Sequence, residues 1–216
     1  YFTMPGTTPR NPLLPDRYVA WADTFGRANI DAFDQKQVSY YTRETFDFFY
    51  PSYGSSYPSV MGGIGMLTEQ AGIGAGRAIE NEDGYVLTFR QRVFDHYTTS
   101  FATLKAAVRN RQKLLEYDLK AHSQETNTVA TAAYVFPDDG GSGYLYDVIE
   151  MLRHHGIEVE RATEPLRLEN ARSYRTGERT DRRVERGAYV VPTDQPRHVT
   201  VNSILKRQVT FQDSVM

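Results

Sequence analysis

The 216-residue chain contains no cysteine, which excludes disulfide scaffolds, cysteine-ligated zinc ribbons and thiol nucleophiles together. The same absence says nothing about compartment, because exported proteins can also be cysteine-free. No apolar run approaches the roughly 18 residues of a membrane-spanning helix, so no membrane span is expected. Neither charge is in surplus: 25 Lys and Arg stand against 27 Asp and Glu, a formal charge of −2. Without the basic excess that drives binding to a phosphate backbone, nucleic acid is not an expected partner.

What is present is a globular composition, 40% hydrophobic, 12% aromatic and 24% charged, richer in apolar and ring side chains than a disordered chain. At about 100–200 residues per domain, the length allows one domain or two small ones, each able to bury a core. The chain opens Tyr1-Phe2-Thr3-Met4-Pro5, without an initiator Met or a charged leader, and stops at Asp213-Ser214-Val215-Met216. It is therefore expected to be a piece of a longer protein.

Four of the ten prolines (Pro5, Pro9, Pro12, Pro15) fall within residues 1–15, so the opening reads as an extended loop. Asp16 is the expected N-cap of a helix to about Asp34, with Val19, Phe25, Ala28 and Phe33 on one face. Val38 to Thr42 reads as a short strand. Phe46 to Pro58 alternates rings with Ser and Gly, a surface loop with too many rings for a mere connector. Ile64-Gly65-Met66-Leu67-Thr68-Glu69 reads as a buried strand emptying into a flexible loop at Gly72, Gly74 and Gly76. From Leu87 to His122, Phe89, Val93, Phe94, Tyr97, Phe101, Leu104, Val108, Leu115 and Leu119 keep helical spacing, predicting a long helix, either continuous or broken once. Composition shifts at residues 123–128, where a domain boundary near residue 125 is expected. Beyond it come a strand at 130–136, a helix at 142–155 stopped by Gly156, and a strand at 157–160, together a βαβ unit with a parallel pair. Residues 167–186, with seven Arg among four acids, read as a solvated loop or hairpin. A strand at 187–191 and a helix at 196–207 complete a small α/β layered module.

Glu69 is the leading candidate for chemistry. An acid at the exit of an apolar strand, beside Tyr-rich and Gly-rich loops, sits where burial can raise a carboxylate toward the range useful to a general base.

The runs Tyr40-Tyr41-Thr42-Arg43-Glu44, Phe48-Phe49-Tyr50-Pro51-Ser52-Tyr53-Gly54-Ser55-Ser56-Tyr57-Pro58 and Gly62-Gly63-Ile64-Gly65-Met66-Leu67-Thr68-Glu69-Gln70-Ala71 resemble the closing part of the zinc metallocarboxypeptidase family of carboxypeptidase A, in its bacterial branch with an appended C-terminal domain. Tyr1-Phe2, Pro9-Arg10-Asn11-Pro12, Leu87-Thr88-Phe89, Tyr97-Thr98-Thr99-Ser100, Tyr189-Val190-Val191-Pro192 and Gln195-Pro196 agree with it. The resemblance implies that residues 1–124 finish a mixed-sheet α/β catalytic domain and that 125–216 begin an accessory α/β domain, itself truncated. It implies peptide substrates, zinc in the full-length protein, and Glu69 as the base that deprotonates the attacking water and then protonates the leaving amine. It also implies a substrate-binding tyrosine, Tyr50 or Tyr53, and export to the periplasm or the exterior.

The family's zinc ligands, a His-x-x-Glu pair and a later His, precede the catalytic glutamate. Here the five histidines, His96, His122, His154, His155 and His198, all follow Glu69. The isolated chain is thus expected to bind no zinc and to be inactive. His122-Ser123-Gln124-Glu125 spells the pair but in the wrong place, and chance is the preferred account. His154-His155 reads as helix capping before Gly156. Gly72-x-Gly74-x-Gly76 lacks a phosphate-binding Lys, and Asp138-Asp139-Gly140-Gly141-Ser142-Gly143 sets two acids where a nucleotide phosphate would lie. No serine sits in a nucleophile elbow. The alternative to an enzyme is a non-catalytic module that binds peptide or partner, with a degenerate metal site; a nucleotide-binding protein is a weaker third reading.

Overall fold

The computed structural model describes residues 1–2, 9–44, 46–70, 74, 76–123, 127, 129–138, 140 and 143–209. The fold is mixed α/β, as the sequence predicts. Two compact units emerge: the described residues within 1–59 and 63–118 form the first, and those within 60–62 and 119–209 the second.

In the first unit, Pro15 stands at the N-cap of α1 (Asp16–Asp34) in an extended conformation, with Asp16 in the first helical turn. Its fixed φ ends the proline-rich opening, and the acid favours the positive end of the helix dipole. Asp16 is thus the first helical residue and not the cap. The helix buries Tyr18, Ala22, Phe25, Gly26, Asn29 and Phe33, a stripe at steps of three and four residues; Val19 and Ala28 are only half-buried at its margin. The short α2 (Ser56–Val60) follows, and β1 (Ile79–Glu80) pairs with β2 (Val86–Leu87) as a small antiparallel hairpin. The long helix is broken once, at Asn110, into α3 (Phe89–Arg109) and α4 (Arg111–Ala121). The Thr88 hydroxyl starts α3 by accepting from the Gln91 N–H at 3.1 Å.

The stripe that reveals α3 in the sequence is not the one that packs. Against α1 the helix buries Asp95, Thr98, Thr99, Ala102 and Ala106, while Phe89, Val93, Tyr97, Phe101, Leu104 and Val108 are exposed. Small side chains on both helices, Ala22 and Gly26 on one and Ala102 and Ala106 on the other, allow the close approach.

Two expected strands are absent. Residues 38–42 carry no ladder; Tyr40 instead stacks its ring near Phe2 and Phe33, with centroids at 5.4 and 5.9 Å. Residues 64–69 make one isolated bridge, Phe2 to Thr68, and Thr68 and Glu69 are exposed. An apolar run is strand-like only where a neighbouring strand offers donors and acceptors.

The second unit holds β3 (Ala133–Phe136), α5 (Gly143–His154), β4 (Glu160–Arg161), β5 (Leu166–Arg172), β6 (Arg179–Val184), β7 (Tyr189–Pro192) and α6 (His198–Leu205). Its sheet runs in the order β3-β7-β4, with β7 antiparallel to both neighbours. The expected parallel pair is therefore split: β3 and β4 run the same way, but β7 lies between them and takes the hydrogen bonds of both. Gly156, at φ +68°, ends the helix region as expected. The core joins Ile149 and Leu152 of α5, Ile157, Tyr189 and Val191, and Val201 and Leu205 of α6. Gln195 is 1% exposed yet fully used: its amide donates to the Pro192 and Glu158 carbonyls and accepts from the Glu158 N–H. The Arg-rich segment is the hairpin β5–β6, whose arginines are exposed while Leu166, Leu168 and Ala171 are half-buried and Val184 is buried.

Candidate functional site

The segment carrying Glu69 is held by side chains that reach its backbone. The buried Tyr18 hydroxyl of α1 donates to the Gly65 carbonyl at 2.8 Å, and the Tyr117 hydroxyl of α4 donates to the Gly63 carbonyl at 3.4 Å. Burial pushes both phenols upward, Tyr117 to about 12 against the pull of Arg17, so both remain donors across the physiological range. Ser59 completes the fastening: its hydroxyl accepts from the Gly65 N–H at 3.0 Å and donates to the Ser55 carbonyl at 3.2 Å. These bonds tie residues 63–65 to the serine-rich turn beside the tyrosine loop.

At the end of this segment Glu69 pairs with Tyr1 as in an antiparallel bridge: its N–H donates to the Tyr1 carbonyl and its carbonyl accepts from the Tyr1 nitrogen, each at 2.8 Å. Tyr1 is fixed in turn by its ring, stacked on Phe46 with centroids 4.4 Å apart. The backbone of Glu69 is anchored while its side chain is exposed. The sequence reading places this acid at the exit of a buried strand; the structure places it at the exposed end of a strap.

Tyr50 and Tyr53 are brought together, edge to face at 5.3 Å, and are 52% and 48% exposed. The Asp47 carboxylate launches their loop by accepting from the Phe49 and Tyr50 N–H groups at 2.7 and 3.1 Å, a side-chain-built turn. Phe48, buried between them in sequence, pairs its backbone with Pro9 and Asn11, which gives the Pro9-Arg10-Asn11-Pro12 run a structural task. Glu69 has Tyr1 as its backbone partner, whereas the tyrosines partner each other.

Four of the five histidines lie in the second unit, and His96 lies on α3 in the first. His122 Nε2 lies 3.0 Å from Arg197 Nη1; a guanidinium can only donate, so the ring nitrogen accepts. Arg197 also donates to the Met61 carbonyl at 2.7 Å, and the Thr200 hydroxyl to the Val60 carbonyl at 2.8 Å. Gly62, at φ +94°, leaves the room that the His122 ring occupies. Glu125, the other half of His-x-x-Glu, lies outside the described residues, as do Gly72 of the first glycine run and Asp139, Gly141 and Ser142 of the second. Asp138 pairs with Arg161 at 3.2 Å. Among the described residues no group of three or more His, Asp or Glu side chains is placed to hold a metal ion, and no helix is long and apolar enough to cross a membrane.

Burial pushes the His198 imidazole below its usual range, with His122 acting the same way and a hydrogen bond to the Ala121 backbone opposing. The unfolded chain protonates this residue near pH 6.5, so below that pH the unfolded state holds more protons than the folded one. Its contribution to stability is complete above about pH 6.5 and is lost as pH falls through that value toward the lower folded one. Amide protection of α6 should therefore drop between pH 7.5 and 5.5, and His198→Gln should flatten the dependence; a wild-type profile already flat there would contradict the assignment.

The sequence reading missed three residues that fasten the site: Tyr18, Ser59 and Tyr117 act through hydroxyls on the backbone, which leave no pattern in a sequence. Neither a family model, nor a curated protein, nor a solved structure matches the chain.

Proposed function

We propose that this chain is part of a zinc-dependent metallocarboxypeptidase that hydrolyses peptides from their C-terminal end, with Glu69 as its general base and acid. The observation that carries the reading is the presentation of Glu69: an exposed carboxylate on a backbone bonded at Gly63, Gly65 and Glu69 itself. A base so mounted has a fixed origin and an open approach, as proton transfer to and from a bound peptide requires. Its carboxylate takes a proton from the attacking water and returns it to the departing amine. Tyr50 and Tyr53, paired and exposed, offer ring faces and hydroxyls to the peptide. In this reading the metal is bound by a His-x-x-Glu pair and a later His outside the chain, and the chain alone is inactive. Export to the periplasm or the exterior belongs to the same reading.

The test is digestion of paired peptides by the intact protein. Residues should leave one at a time from a free C-terminal carboxylate, and an amidated peptide should survive. Internal cleavage, or no cleavage by the zinc-loaded protein, would overturn the proposal. The tyrosine pair also suits a second reading, a non-catalytic peptide-binding module; binding of the same peptides without turnover would favour it.

A further inference from the structure

The seven arginines and four acids of residues 167–186 alternate along the sequence, but the register of β5 and β6 separates them. Arg167 stands directly opposite Arg183, and Arg172 directly opposite Arg179. Opposed residues share a face, and so do positions 179, 181 and 183 of β6, so all four arginines belong to one face of the hairpin. Leu166, Leu168, Ala171 and Val184, half-buried or buried, belong to the other. The acids are set aside. Glu178 and Glu185 lie just beyond the ends of β6, and Glu169 falls in the register shift between Leu168 and Ala171. Asp181 alone shares the arginine face, and its Oδ1 already accepts from the Asn170 N–H at 2.8 Å.

Like charges directly across a ladder destabilise it, and the fold does little to offset them. Among the described residues the one ion pair of these four arginines is Arg183 with Glu185, 3.5 Å apart with both side chains exposed. Arg172 and Arg179 donate to the Gly177 and Asn170 carbonyls at 3.2 and 3.4 Å, bonds that orient a guanidinium without neutralising it. The Arg167 guanidinium is bonded to no described residue. Arg207 adds a cation at the turn, where its Nε donates to the Tyr174 carbonyl at 2.7 Å.

The shape of the face selects the partner. Arg179 and Arg183 are four residues apart on one strand, so the two arginine pairs lie about 13 Å apart along the hairpin. Carboxylates at every second residue of an extended peptide recur on one side at about 7 Å, so the first and third of them match that spacing, and guanidinium forks take carboxylates two bonds at a time. Positions 167, 172, 179, 181 and 183 carry no apolar side chain to enter a bilayer, and the formal charge of −2 on the whole chain opposes attraction of a continuous polyanion. We propose that the arginine face of the β5–β6 hairpin is a docking surface for an acidic, extended segment of a partner protein, each arginine pair clasping a carboxylate. The role is independent of Glu69.

The experiment is fluorescence anisotropy of a labelled (Glu-Thr)4 peptide with the 216-residue chain, beside the uncharged (Gln-Thr)4. The acidic peptide should bind at least tenfold more tightly, and added NaCl should weaken it. Arg167→Glu combined with Arg179→Glu turns both like-charged pairs into opposed ones. Binding should weaken roughly tenfold or more, while amide protection across β5 and β6 holds or rises by up to about fivefold. A merely structural role for the arginines would lower both together. Lys113→Glu combined with Arg153→Glu makes the same change in net charge at exposed helical positions and should leave binding intact. If the reversal unfolds the hairpin, Arg167→Gln combined with Arg179→Gln decides the matter by removing charge without adding any. Equal binding of the two peptides, no binding of either, equal weakening in the helical control, or tighter binding to vesicles of phosphatidylserine and phosphatidylcholine or to single-stranded oligo-dT would overturn the proposal.

Discussion

Under the proposed function, replacing Glu69 with Gln in the intact protein should lower kcat on peptide substrates by about 10²–10⁴, the range that a positioned proton-transfer group contributes. Gln keeps the size of the side chain and its capacity for hydrogen bonds but cannot accept the proton of water. The side chain is exposed, and the backbone pairing with Tyr1 does not involve it. Folding and zinc content should therefore match the wild type, and KM should change little, since the interaction is made in the transition state and not in the ground state. A steady-state comparison at matched zinc content reads the effect; a variant of full activity would remove Glu69 from the chemistry.

Gly65→Ala should be the most damaging small substitution in the first unit. A Cβ at this position would run into the Ser55 carbonyl oxygen and approach Ser59 Oγ at 2.7 Å. Neither can withdraw cheaply, because Ser55 is buried and Ser59 is already bonded to the Gly65 N–H. Overpacking of this kind costs about 1–3 kcal/mol or more, and displacing the strap also strands the buried Tyr18 hydroxyl, a further penalty of about 1–3 kcal/mol. At roughly 4–8 °C per kcal/mol for a domain of this size, the melting temperature of the first unit should fall by ten degrees or more. Under the proposed function, peptidase activity of the intact protein should fall as well, because the strap ends on Glu69. A thermal melt indistinguishable from the wild type would mean that residues 63–65 yield freely and do not fix the site.

Much of the fold could be read from periodicity. The limits of α1, the helical character of residues 89–121 and the Gly156 stop follow from local rules: side-chain spacing, caps and turn residues; whether the long helix breaks and whether the Arg-rich segment is a loop or a hairpin stay open in the sequence. The discrepancies share a different cause. Residues 38–42 and 64–69 are apolar enough for strands, but a strand needs a partner, and local composition does not reveal whether one is present. The βαβ pattern at 130–160 sets β3 and β4 in the same direction, yet β7 (Tyr189–Pro192), which follows much later in the chain, takes the place between them. On α3 the large apolar residues advertise a packing face, while the face that meets α1 is built from Thr98, Thr99, Ala102 and Ala106.

The candidate site was legible to a similar depth. Glu69 and the two tyrosines are visible as residue types in a suggestive neighbourhood. Their setting is not: the strap is held by hydroxyls that donate to the Gly63 and Gly65 carbonyls or accept from the Gly65 N–H, and the Glu69 backbone is anchored by pairing with Tyr1, 68 residues away. His122 shows the converse. Its spacing to Glu125 suggests a ligand pair, but its Nε2 accepts from Arg197, a cation where a metal would bind.

The measurement that tests the central claim most directly is digestion of one peptide, with a free or an amidated C-terminus, by the wild-type intact protein and by Glu69→Gln at equal zinc content, followed by mass spectrometry. The account predicts a ladder of single-residue losses from the free peptide with the wild type, and neither that ladder nor any loss from the amidated peptide with the variant. A ladder of equal rate from Glu69→Gln, or an intact peptide after incubation with the zinc-loaded wild type, would contradict it.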